Sequence, residues 1–342
     1  MFLLKNRSNN ENNNNNCQFQ NIKTNEKKIK KKENNKKNNI KKISVKELDL
    51  INNFKVEYKI NPIEEYDELI MKNLFIEEIN NRPDYIQLFD LIKQNKNTIK
   101  RYPYINLALS ICETFDLREE TFYLSINLFD RYIQDLNISK KLYIINTKLI
   151  MLTCVFISSK YEEIYPPLIE DYLKLFNTFS QNELLDLEND ILSKLNFDLH
   201  TCSPYLFLTK FFTYIENKEN SIILHGAQFI LDLCLISPDF CIFKPSFQAV
   251  ICLYMSKRIF SNNKDNNNFL WTSQNEFNTG YSENKIKQNL KIPVQIIKDF
   301  FSGKIFKDYS KTALFKKYTN LKYSNVAYYF KLVYFLKRAV LL

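Results

Sequence analysis

Residues Ser158-Ser159-Lys160-Tyr161-Glu162-Glu163-Ile164-Tyr165-Pro166-Pro167 decide how this chain folds. An apolar helical run, Leu149 to Ile157, ends there in a Lys-Glu-Glu cluster and then a double proline. Proline has no N–H to donate and restricts the residue before it, so the helix must stop at this point. Two further marked stretches flank it, Phe129-Asp130-Arg131-Tyr132 upstream and Leu195-Asn196-Phe197-Asp198-Leu199 downstream.

Outward from that point the chain reads as helices divided by short polar joints. Apolar residues recur every three or four positions in Ile105 to Phe115, Arg118 to Gln134, Tyr143 to Lys160, Ile169 to Leu175 and Gln181 to Leu195. Ser180 and Glu183 have the spacing of a capping box. These five helices predict a compact domain over 95–200. After Thr201-Cys202-Ser203-Pro204, where Ser203 can cap and Pro204 can begin a helix, a second set follows. It comprises Tyr205 to Ile215, Ser221 to Leu235, Ser246 to Phe260, Ser282 to Phe301 and Thr312 to Tyr318, predicting a second five-helix domain over 201–326. The Asn-rich stretch 262–277 is expected to be an exposed loop insertion. Before both domains, Ile63, Tyr66, Ile70, Leu74 and Ile79 predict a lone amphipathic helix over 62–81, ended by Arg82-Pro83-Asp84-Tyr85.

Composition agrees with an all-α fold. Three glycines among 342 residues are too few for the left-handed turn positions of a sheet protein. The net charge of +10 is uneven: residues 1–50 hold twelve Lys and one Arg against five acids, a balance of +8. The near-neutral remainder gives no reason to expect nucleic-acid binding, which needs a clustered positive surface. Residues 1–55, with fourteen Asn before position 51 and little apolar periodicity, read as a disordered basic tail. Met1-Phe2-Leu3-Leu4 is too short for a signal peptide, and no segment is long and uncharged enough to span a membrane. The seven scattered cysteines suit a reducing compartment with buried thiols rather than disulfides or zinc. His200 and His225 have no ligand or nucleophile spacing around them, and no Gly-rich loop could cradle phosphate. No cofactor, no metal and no enzymatic activity are expected.

The three marked stretches together resemble the cyclin box, whose family writes them "IDRF", "SK(F/Y)EEIYPP" and "L.FDL". In the second half, Trp271-Thr272 with Thr279-Gly280-Tyr281-Ser282-Glu283, and Phe315 to Val326, are similar to elements that close mitotic A/B-type cyclins. The resemblance covers about Pro62 to Val326 and implies two tandem five-helix cyclin boxes. It also implies a regulatory subunit that binds and allosterically activates a cyclin-dependent protein kinase in cell-cycle control, as a heterodimer with the catalytic subunit, in nucleus and cytoplasm. Two alternatives stay open: a cyclin-fold scaffold that activates no kinase, and a nucleic-acid-binding transcription factor built from cyclin-like repeats. The latter would need a zinc ribbon and a basic repeat surface, which this sequence lacks.

By residue type alone Lys160 and Glu188 would be solvated helix charges. The resemblance implies instead that they hydrogen-bond the kinase backbone, amid an apolar surface of Ile157, Tyr161, Phe197 and Leu199, with Tyr66 and Ile70 on the outlying helix. Arg101 and Asp130 match an internal structural ion pair. A further family site departs. Cyclins that dock Arg-x-Leu motifs write "MRAIL..W", flanked by a Glu and a Gln, where this chain has Lys100-Arg101-Tyr102-Pro103-Tyr104 with Leu107 in the tryptophan's place. Ser110 falls at the Glu and Lys148 at the Gln, so Lys100, Pro103, Tyr104 and Leu107 form a degenerate patch that should repel a basic ligand. In the tail, Lys32-Glu33-Asn34 spells a degradation signal for a ubiquitin ligase, and Lys27 to Lys32 a nuclear import patch.

Overall fold

The computed structural model describes residues 62–80, 82–94, 101–138, 146–216, 221–260 and 270–335. Every regular element among them is helical. The tail, with Lys32-Glu33-Asn34, and Lys100 lie outside the described residues.

Two helices precede the repeats, α1 (Pro62–Glu77) and α2 (Tyr85–Gln94). The first repeat comprises α3 (Arg101–Thr114), α4 (Glu119–Ile138), α5 (Thr147–Glu162), α6 (Ile169–Leu175) and α7 (Gln181–Lys194). Its axis is α5, which packs against α3, α4 and α7 and buries every residue from Leu149 to Ser159. Asn146 starts that helix, its Oδ1 accepting from Lys148 N at 3.0 Å. Two polar residues of the buried run bond locally or to a neighbour: Thr153 Oγ1 donates to Leu149 O at 2.8 Å, and Ser159 Oγ donates to Phe156 O at 2.9 Å and accepts from Tyr172 OH at 2.8 Å. At α7 the reciprocal capping box forms, Glu183 N donating to Ser180 Oγ at 3.3 Å and Ser180 N to Glu183 Oε2 at 2.8 Å.

The second repeat comprises α8 (Pro204–Ile215), α9 (Ser221–Cys234), α10 (Pro238–Cys241), α11 (Pro245–Phe260), α12 (Ser273–Thr279), α13 (Glu283–Asn289), α14 (Lys291–Phe301), α15 (Ala313–Tyr318) and α16 (Val326–Phe335). Its axis is α11, packed by α8 and α9. The close approach of α9 to α11 requires Gly226, since a Cβ there would lie 2.4 Å from Ser256 Oγ and 2.5 Å from Phe260 Cε2. Buried Phe229 gathers Phe300, Tyr318 and Phe330 around it.

Four expectations need correcting. The loop expected over 262–277 gives way at its end to buried Trp271, which donates Nε1–H to Tyr281 O at 3.1 Å, and to α12, capped by Thr272 and closed by Gly280 at φ 74°. The single helix expected over Ser282 to Phe301 is two, α13 and α14, parted at Leu290. Tyr85, expected to belong to the break after the lone helix, instead begins a helix of its own, α2. The second repeat continues past 326 through α16, which buries Phe330.

Chain order and spatial order also differ. Although α1 precedes the first repeat, it lies on the second, with the Phe75 ring 5.4 Å from that of Phe207 of α8 and Met71 buried.

Candidate functional site

Lys160 is the first residue of α5 to leave the core. Its Nζ meets Glu188 Oε1 on α7 and lies 4.2 Å from the centre of the Phe156 ring. The pair straddles the surface, with the Lys160 side chain 41% exposed and that of Glu188 10%. It joins two helices through a charge-assisted hydrogen bond whose outer side faces solvent.

Apolar side chains stand exposed next to it. Tyr161 follows Lys160 directly, and beyond α5 come Ile164 at 84% and Tyr165 at 91% exposure, then exposed Leu168. The double proline forbids another helical turn, so Ile164 and Tyr165 sit in a bend beyond the helix without a core to enter. Sequence reading missed these three, although apolar residues stranded on either side of a Pro-Pro are a signal for them. Phe197 is 70% exposed and adopts φ 55° just after Asn196 at φ 54°. The left-handed pair closes α7, with Phe197 N donating to Leu192 O at 2.9 Å. Holding an aromatic residue there costs about 1–2 kcal/mol. Leu199 is half-buried against the core, whereas Tyr66 and Ile70 on α1 are exposed, joined by Leu69. Ile157 must be corrected: at 2% exposure it belongs to the core, because α5 is enclosed on all sides at that turn.

Two of the three marked stretches are tied directly, and the third reaches them through the start of α4. Glu163 Oε1 accepts from Arg118 N at 2.8 Å and from Thr121 Oγ1 at 2.5 Å, so the second Glu of the Lys-Glu-Glu cluster caps α4 from a distance. Arg131 Nη1 donates to Asp198 O at 2.9 Å, bracing the turn that presents Phe197. Tyr132 OH donates to Asp190 on α7.

Arg101 and Asp130 are both buried, with Arg101 Nε 2.9 Å and Nη2 2.5 Å from the two Asp130 oxygens. Burial works against the guanidinium charge, yet Asp130 holds its pKa above the ordinary value. This fork joins α3 to α4 and reaches the second repeat too, since Arg101 Nη1 lies 3.7 Å from Cys241 Sγ. In the degenerate patch, Pro103 is exposed, the Tyr104 ring packs tilted at 5.7 Å from that of Phe129, and Leu107 is half-buried against the core. Neighbouring Tyr102 meets Phe306 edge-on at 4.9 Å, and Ser110 and Lys148 are exposed.

A cavity of about 40 Å³ lies among Glu78, Arg82, Tyr85, Cys202 and Gln248, enough for a few waters. Among the described residues no helix is long and apolar enough to cross a membrane, and no three His, Cys, Asp or Glu side chains group as metal ligands.

Two tandem helical repeats, with a Lys–Glu bridge and exposed apolar residues on the first, are the architecture expected of the cyclin class. Residues 69–200 match the family Cyclin, N-terminal domain, and residues 202–330 match Cyclin, C-terminal domain. The chain therefore belongs to the cyclin family. It is similar to Cyclin-A1-2 of Arabidopsis thaliana, 27% identical over 264 residues covering 75% of this chain and 56% of that protein. Cyclin-B2-1 of the same plant is 26% identical over 224 residues, covering 65% and 48% respectively. The match thus spans about half the length of these relatives. Among solved structures, the X-ray structure of a viral cyclin from herpesvirus saimiri superposes with a TM-score of 0.52 at 20% identity, covering 66% of this chain and 96% of the other. That likeness concerns the fold.

Proposed function

We propose that this chain is the regulatory subunit of a cyclin-dependent protein kinase, binding the catalytic subunit as a heterodimer and activating it allosterically during the cell cycle. One observation carries the reading: the Lys160–Glu188 bridge opens to solvent beside Tyr161, Ile164, Tyr165 and Phe197. Apolar side chains around directed charges suit a helix of a partner, with burial supplying affinity and the charges register. The backbone strain at Phe197 supports the same reading, since residues held in costly conformations cluster at functional sites. Activation would follow from preferential binding to the arrangement in which the kinase's C-helix is turned inward and its Lys–Glu ion pair complete.

The test is reconstitution of the full chain with a recombinant cyclin-dependent kinase catalytic subunit, followed by phosphorylation of a histone substrate. Stimulation that grows with added chain and saturates at one-to-one stoichiometry is expected. An unstimulated kinase would remove this reading and leave the two alternatives. We further infer residence in nucleus and cytoplasm, from the Lys27 to Lys32 run, and turnover by a ubiquitin ligase through Lys32-Glu33-Asn34. Replacing that triplet by alanines should prolong the protein's lifetime through a synchronised division, and an unchanged decay curve would discard the signal.

A further inference from the structure

A short segment after α1 meets two helix ends of the second repeat with charges of the matching sign. Glu78 is buried, and its Oε2 accepts from Ser246 N at 3.1 Å, an amide in the first turn of α11. Lys244 stands 3.7 Å from the other oxygen. Four positions on, Arg82 Nη2 lies among the carbonyls that end α10, at 2.6 Å from Cys241 O, 2.5 Å from Ile242 O and 2.6 Å from Phe243 O. A carboxylate can only accept from the Ser246 amide and a guanidinium can only donate to the three carbonyls, so neither residue could take the other's place.

We propose that Glu78 and Arg82 are positioning residues, a two-point clamp that fixes the rotation and placement of α1 on the second repeat and thereby presents Tyr66, Leu69 and Ile70 in the docking face. The proposal rests on the docking face inferred above. The need for a clamp follows from the composition of α1 itself. Its apolar residues point both ways, Met71, Leu74 and Phe75 inward and Leu69, Ile70 and Ile76 outward, so hydrophobic burial selects the rotation less sharply than a one-faced helix would. A buried carboxylate selects it sharply. Burial raises the Glu78 carboxyl above its usual range, while Ser246, Lys244 and Arg82 pull it down. A rotated α1 would lose those partners and leave the charge buried and uncompensated, which is strongly disfavoured. Arg82 holds the corner where the chain leaves α1, 160 positions before Ile242, so both anchors are long-range.

The experiment uses the full chain with Glu78→Leu, Arg82→Met and Arg82→Lys, comparing amide hydrogen exchange of residues 62–80 with that of α5, and affinity for a recombinant cyclin-dependent kinase catalytic subunit. Losing one cap-type interaction corresponds to about a tenfold change. Exchange in α1 should therefore rise about tenfold in Glu78→Leu and Arg82→Met with α5 unchanged, and kinase affinity should fall about tenfold. Arg82→Lys, which keeps the cation, should restore most of both. Unchanged exchange in α1 overturns the clamp, and a loosened α1 with affinity within twofold of wild type overturns the positioning role. Should Glu78→Leu fail to fold, the Arg82→Met and Arg82→Lys pair makes the same comparison. Failure of the docking face itself looks different: Tyr66→Ala with Ile70→Ala would leave affinity unchanged while α1 stays protected.

Discussion

Lys317 donates to the Glu119 carboxylate at 2.7 Å, joining α15 of the second repeat to α4 of the first across 198 positions of sequence. Asp232, fully buried, lies 3.3 Å from the same ammonium and also accepts from Tyr318 OH at 2.7 Å and Tyr123 OH at 2.5 Å. Burial opposes the Lys317 charge, but Asp232 and Glu119 outweigh it and raise the ammonium's pKa. Replacing Lys317 by Met would leave two carboxylates facing each other in the interior. A loss of about 3–5 kcal/mol is expected, measured by urea unfolding. A loss below about 1 kcal/mol would mean that the cluster is well hydrated.

Lys160→Ala with Glu188→Ala should abolish kinase association while the helical circular dichroism stays unchanged, because removing both partners together leaves no unpaired buried charge behind. Truncating charged groups at the centre of a desolvated contact costs about 2–5 kcal/mol, roughly thirty-fold to several-thousand-fold in affinity. Calorimetric binding within threefold of wild type would sink the kinase reading.

Arg-x-Leu peptides should bind at about 1 mM or weaker, near −4 kcal/mol. The patch that would hold them offers exposed Pro103 and Lys148, with Tyr104 and Leu107 turned partly into the core. A micromolar constant by fluorescence anisotropy would show that the groove survives its substitutions.

Cys241 gives a pH dependence. Burial raises its thiol from 9.0 to about 11, with Arg101 pulling the other way. The folded chain therefore holds this proton more tightly than the unfolded one. The contribution to stability is whole below about pH 9 and is lost as pH rises through about 11, amounting to roughly 2–3 kcal/mol. The stability gap between wild type and Cys241→Ala, from urea unfolding, should shrink by that amount over this window. A gap constant with pH would show that Cys241 does not titrate as a buried thiol.

By itself the sequence determined what depends on near neighbours. Helical periodicity, the Ser180–Glu183 box, the cap at Ser203 and the stop at Pro166-Pro167 all act within a few residues, and the structure contains each of them. Motif order along the chain was enough to indicate the family. The helix after Trp271 was overlooked although Thr272 and Gly280 mark its two ends, because an Asn-rich context outweighed two correctly placed caps. Other features were decided only by the tertiary structure. Because α5 is enclosed on every side, its apolar pattern has no outward face to read, and Ile157 could be assigned to the core only once its neighbours were in place. Glu163 capping α4, Arg101 reaching Cys241 and Glu78 meeting α11 join residues 42 to 168 positions apart. Such pairings depend on how helices cross, and local propensity carries no information about that crossing.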